Sequence, residues 1–182
     1  MDRAFRICRW AELVMGIAVL SAGCFIGGVS LPALGAYLLS LSVAMAAPEK
    51  KKIAAVVQGV LTFLILIWTG VFAFLYTVRV SRYAFSTSPL WTVLIAALCL
   101  LGQAFLTVLT EDRQGLRPLR RELILCAVLC GVVFLGIVLT YVFGLHYVEG
   151  AAATALALTG ARTVFRSFGK KQNPFTEEID YV

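Results

Sequence analysis

From Glu122 to Ser167 the chain reads ELILCAVLCGVVFLGIVLTYVFGLHYVEGAAATALALTGARTVFRS. Leu123 to Leu145 is a run of 23 uncharged residues. At about 1.5 Å per residue it reaches roughly 34 Å, enough to cross a hydrocarbon core with some tilt. The chain is then expected to turn at His146-Tyr147-Val148-Glu149-Gly150. It re-enters through a run rich in Ala and Gly that ends at Arg162 and Arg166. This pattern is a membrane hairpin: a long helix, a tight turn and a shorter helix of small residues.

The rest of the chain has the same character. Of 182 residues 60% are hydrophobic and 14% charged, against about 45–50% and 25% in soluble domains. So much apolar surface cannot be hidden in one small core, and lipid is the solvent that accepts it. The formal charge of +6 does not point to nucleic acid, because the basic residues sit in short clusters at the ends of apolar runs.

Working outward, the fold class expected is all-α, a polytopic integral membrane protein with six transmembrane helices. The spans fall at about 10–28, 31–47, 53–78, 91–110, 123–145 and 149–165, forming one domain over residues 1–166. Residues 167–182 are expected to be a polar, disordered cytoplasmic tail. Gly27-Gly28 followed by Pro32 favours a hairpin between the first two spans over a single bent helix of 37 residues. The apolar run after the basic N-terminus is read as a retained first helix and not as a cleaved signal.

Lys and Arg set the orientation. The N-terminus (Arg3, Arg6, Arg9), the loop at Lys50, Lys51 and Lys52, the loop at Arg113, Arg117, Arg120 and Arg121, and the C-terminal side (Arg162, Arg166, Lys170, Lys171) hold 14 of the 16. Only Arg79 and Arg82 fall on the other side. Six spans with both termini in the cytoplasm put these clusters on one face. Tyr76, Tyr83, Trp91, Tyr141 and Tyr147 fall near the outer boundary as an aromatic belt would, and Trp10 near the inner one. The plasma (inner) membrane is the expected location.

Charge inside a span is the usual pointer to function. Glu12, Glu122 and Glu149 are all expected at span ends, with Glu12 in the first turn of helix one and Glu122 in the first turn of helix five, where the helix dipole and nearby Arg favour a carboxylate. The deepest strong polar side chains are Gln58 and Gln103. Each needs a partner on another helix, and each could instead line a polar path. Cys126 and Cys130 share a helix face with Glu122 at spacings of four. Thiolate and carboxylate together can hold a soft or borderline metal, but a free Cys is also a common small buried hydrophobe. His146 is alone in the chain, so no metal and no cofactor is expected. The polar intramembrane candidates are therefore Gln58, Gln103, Glu122 and Cys126. Ala153, Ala157 and Ala161 form a small-residue stripe suited to close helix packing. No Walker loop, nucleophile–base arrangement, paired-carboxylate site or dinucleotide fingerprint occurs, and no enzymatic activity is expected.

The order of elements resembles the transmembrane domain of the cation diffusion facilitator family. The resemblance rests on Phe143-Gly144-Leu145-His146-Tyr147-Val148-Glu149-Gly150-Ala151-Ala152-Ala153 leading into a small-residue helix, and on Ala54-Ala55-Val56-Val57-Gln58-Gly59-Val60-Leu61 at the start of helix three. It implies a six-helix bundle and a metal held by paired His or Asp, four residues apart, on helices two and five. The chain departs from it there. Leu31 to Ala47 contains no Asp, Glu or His, Glu122 and Cys126 fall nearest the pair on helix five, and the family's large cytoplasmic domain has no counterpart.

Two functions follow. The first is a non-catalytic membrane protein acting as an accessory, scaffold or oligomerising subunit, its partners being the lipid bilayer and either a second copy or another membrane protein, with no nucleic acid. The alternative is a transporter of a cation or small solute on a degenerate fold of that family.

Overall fold

The computed structural model describes residues 3–26, 29–46, 53–79, 89–111 and 117–169. Lys50 to Lys52, Tyr83 and the tail from 170 onward lie outside them. The elements among the described residues are all helices, with no strand: α1 (Arg3–Ile26), α2 (Ser30–Ala46), α3 (Ile53–Arg79), α4 (Pro89–Leu109), α5 (Arg117–Phe143) and α6 (His146–Gly169). Helices satisfy their own backbone polar groups, so they are the form such apolar runs adopt away from water.

Four helices are long and apolar enough to cross a membrane: Phe5–Ile26, Val56–Val78, Leu90–Leu109 and Leu119–Phe143. The α2 segment Ser30–Met45 is a shorter apolar helix. By class this is a helical membrane protein.

The bundle is built around α2. Every side chain from Ser30 to Met45 is buried, against α1, α6, α3 and α5, while α4 packs on α1 and α5. Helices α1 and α2 form the expected antiparallel hairpin, and Pro32 sits in the first turn of α2 where its missing N–H costs nothing. Glycine sets how closely the two approach. A Cβ on Gly35 would meet the Leu20 backbone, with Leu20 Cα at 2.7 Å and the Gly16 carbonyl oxygen at 2.8 Å. On the other side of α2, a Cβ on Gly160 of α6 would lie 3.3 Å from Ser40 Oγ and 3.4 Å from the Tyr37 ring. The small-residue run of α6 therefore faces the central helix and α3, where Ala157 opposes Gly70. Ala153 and Ala157 are buried, whereas Ala161 is only half-buried.

Outside this core the apolar residues point away. Val60, Leu64, Val71 and Phe74 of α3 and Leu94, Leu98, Leu101 and Phe105 of α4 are exposed, in the wide apolar band lipid would cover. Trp10 is exposed near one end, Trp91 and Tyr147 near the other. The helices alternate in direction, so Arg6, Arg9, Arg120, Arg121, Arg162 and Arg166 share one end of the bundle. There Arg120 also pairs with Glu111 at 2.9 Å, tying the end of α4 to the start of α5.

Most boundaries shift by a residue or two from the sequence reading, and three differences bear on the site. The turn between α5 and α6 is at Gly144-Leu145, not at 146–150. Gly144 takes φ 69°, the left-handed conformation that ends helices, and its N–H donates to the Thr140 carbonyl at 2.9 Å. Thr140 Oγ1 closes the turn by donating to the Leu145 carbonyl at 3.2 Å. The other two boundaries are helix starts. Helix α1 begins at Arg3 and α5 at Arg117, and Arg is a good helix former.

Candidate functional site

The early start of α1 changes the status of Glu12. It is not in a first turn. It lies nine residues beyond Arg3, and seven residues, about 10 Å, beyond Phe5. Phe5, Cys8, Glu12, Gly16, Val19 and Gly23 are all buried and recur at spacings of three and four, so the carboxylate lies on the inward face of α1. Its exposure is 0%.

The partner is Gln103 of α4, also at 0% exposure and six residues from the end of the Leu90–Leu109 segment. Gln103 Nε2 donates to Glu12 Oε1 at 2.9 Å and to Oε2 at 3.0 Å. A donor shared by both oxygens is the arrangement that suits an ionised carboxylate. Gln103 Oε1 is buried with no hydrogen-bond partner. An amide oxygen left bare in a dry interior costs about 1–3 kcal/mol, and such an atom in a native fold asks for a reason.

Thiols surround this pair. Cys8 is one turn before Glu12, and Cys99 one turn before Gln103. Cys8, Cys99, Cys126 and Cys130 are buried and all are free, as is the exposed Cys24. Cys99 Sγ lies 4.0 Å from Cys130 Sγ across the α4–α5 seam, and Cys126 is one turn before Cys130 on α5. Glu12 and Cys8 share the inward face of α1, and Cys99 and Gln103 lie one turn apart on α4, so the oxygen and sulfur groups belong to neighbouring seams of one core. The site thus has an oxygen part, Glu12 with Gln103, and a sulfur part, Cys99 with Cys130 and Cys126, while the Tyr37 side chain of α2 sits between helices at the centre. Among the described residues no three His, Cys, Asp or Glu side chains form a ready metal cage.

The other candidates are placed elsewhere. Gln58 Nε2 of α3 donates to Ser42 Oγ of α2 at 3.3 Å, a separate seam. Glu122 is half-buried and stands five residues into α5, beyond its first turn, so the dipole pairing expected of it is weakened. Glu149 does lie in the first turn of α6 and is buried. It accepts from Ser30 Oγ at 2.8 Å and from the Ser30 N–H at 3.4 Å, closing the N-terminus of α2. His146 is exposed at the start of α6.

The structure therefore pairs Gln103 with Glu12 and buries Cys126 on α5, while Gln58 bonds on a separate seam and Glu122, one turn before Cys126, is only half-buried. Glu12 is the residue the sequence reading misplaced. The signal for it was present: with Arg3 and Arg6 taken as helical, Glu12 falls on the stripe of Phe5, Cys8 and Gly16.

No protein-family model matches the chain, and no curated protein or solved structure matches it.

Proposed function

We propose that the chain is a six-span protein of the plasma membrane, with both termini cytoplasmic, that transports a cation, and that Glu12 with Gln103 is the polar step in its path. The observation that carries this reading is the fully buried Glu12 in a helix long and apolar enough to span, facing an amide whose oxygen has no partner. An ionisable group at that depth is expensive, and a functional site is the default reading of one. The shared arginine end supports the orientation by the positive-inside rule. The resemblance to cation diffusion facilitators agrees in kind but brings no ligands to α2.

Flux into proteoliposomes tests it. Zinc, manganese, iron and a monovalent cation are offered in turn, with a pH-sensitive dye inside. The wild-type chain is expected to move at least one of them or protons above empty vesicles, and Glu12→Gln to stop it while the protein still inserts. Absence of flux for all of them overturns the proposal.

A second reading, an accessory or oligomerising subunit, is favoured by one observation. Gln58 and Gln103 occupy separate seams, so the deep amides do not converge on one path. Crosslinking in membranes and purification in mild detergent would yield a homo-oligomer or a stable partner; a strictly solitary monomer removes this reading.

A further inference from the structure

The thiols of α4 and α5 are not used by the oxygen pair, and their geometry can be read independently. Cys99 and Cys130 come from different helices, are both buried, and face each other at 4.0 Å between sulfur atoms. Cys126 is one turn from Cys130 on α5 and is also fully buried. No imidazole joins them, since His146 is exposed at the start of α6. Zinc in protein sites takes four ligands, three or four of them from side chains, and no three-ligand cage is present among the described residues. Soft monovalent d10 ions are content with two sulfur ligands, and thiolates select them.

We propose that Cys99 and Cys130 bind a soft monovalent cation, Cu(I), as a two-sulfur site. Binding replaces two S–H bonds by two S–Cu bonds. Two protons leave: one passes to the Glu12 carboxylate, which the Gln103 amide holds in acceptor geometry, and the other to the bulk. With Glu12 ionised, the form its shared amide donor suits, the metal-free site carries one negative charge. The loaded site carries one on the bis-thiolate copper, with Glu12 neutral. A single charge is thus kept in the interior throughout, which avoids the cost of adding an unpaired one. Copper oxidation state does not change. The metal assignment rests on the sulfur geometry; the proton count rests on the reading of Glu12 given above, and the two are separable.

The test uses the full chain in nanodiscs under anaerobic reductant. Cu(I) is titrated against a chromophoric Cu(I) chelator, and Ag(I) serves as a redox-inert probe. About one Cu(I) per chain is expected, with a thiolate-to-copper charge-transfer band in the near ultraviolet. Cys99→Ser and Cys130→Ser are each expected to weaken binding by more than about tenfold, and Cys126→Ser by less. Cys24→Ser, at an exposed position, is expected to change nothing. Retention of wild-type affinity in the Cys99→Ser, Cys130→Ser double variant overturns the proposal, as does a preference for Zn(II) over Ag(I). In weak buffer, Glu12→Gln is expected to bind Cu(I) still but to release both protons to the bulk. If copper binds and the proton count is unchanged by Glu12→Gln, the metal site stands and the role given to Glu12 falls.

Discussion

Two carboxylates are buried among the described residues, and they are used differently. Glu149 sits at a helix end, 5% exposed, and its partner is the serine that opens α2. It closes an N-terminus where unpaired N–H groups and the positive end of the dipole both call for an anion. Folding alone explains it. Glu12 sits in mid-helix, faces no helix end, and is held by a single amide group whose own oxygen goes without a partner. Nothing in the packing requires a carboxylate there. The contrast separates a charge that completes the architecture from one that the architecture tolerates, and it is the second kind that marks a site.

That contrast can be broken experimentally. The largest effect should come from Glu12→Gln, which keeps the size of the side chain and removes its charge. Cation flux is expected to fall to the level of empty vesicles, with the thermal unfolding midpoint in detergent little changed. If Glu149→Gln does the same, the two carboxylates are not distinct. Next in size is Glu149→Ala, which leaves Ser30 and the α2 terminus without their acceptor. It should destabilise the fold by about 1–3 kcal/mol, read from denaturation in mixed micelles, while flux per folded molecule is kept. Ser30→Ala removes one side of the same contact and leaves the backbone donor, so a loss of about 1 kcal/mol is expected by the same measurement. The smallest effect belongs to Glu122→Gln. A half-buried carboxylate beyond the first turn of α5 should be worth about 0.3 kcal/mol or less, with flux unchanged. A complete loss of flux in a well-folded Glu122→Gln protein would move the site from α1 to α5.

The sequence reading reached the helix count and the hairpin because each rests on local signals. Gly27-Gly28 with Pro32, the uncharged run from Leu123 and the small residues of α6 are visible without any neighbour. The central position of α2 is not. A leucine in the core and a leucine in lipid are the same residue in the same solvent class, since packing between membrane helices has no hydrophobic drive of its own. Only Ser30, Gly35, Ser40 and Ser42 hint that α2 avoids lipid. Glu12 was hidden for a different reason. Treating Arg3, Arg6 and Arg9 as a boundary marker moved the helix start to Trp10 and placed the carboxylate at the surface. The pairing of Gln103 with Glu12, and of Cys99 with Cys130, joins residues far apart in the chain and has no local trace. The resemblance-based reading turned attention to Glu122 and Cys126, and of these only Cys126 lies in the buried cluster.

The burial of α2 on all sides also constrains how such a protein is made. On the six-span reading, α2 leaves the ribosome second but has no surface meant for lipid. Until α3 to α6 arrive, its Ser40 and Ser42 and the inward face of α1 with Glu12 lack the partners that cover them. The α1–α2 hairpin is therefore poorly able to stand alone, and α6, which is made after it, is one of the helices that seal it. A chain cut short before α6 would present an unfinished, polar-faced bundle, the kind of species that membrane quality control removes.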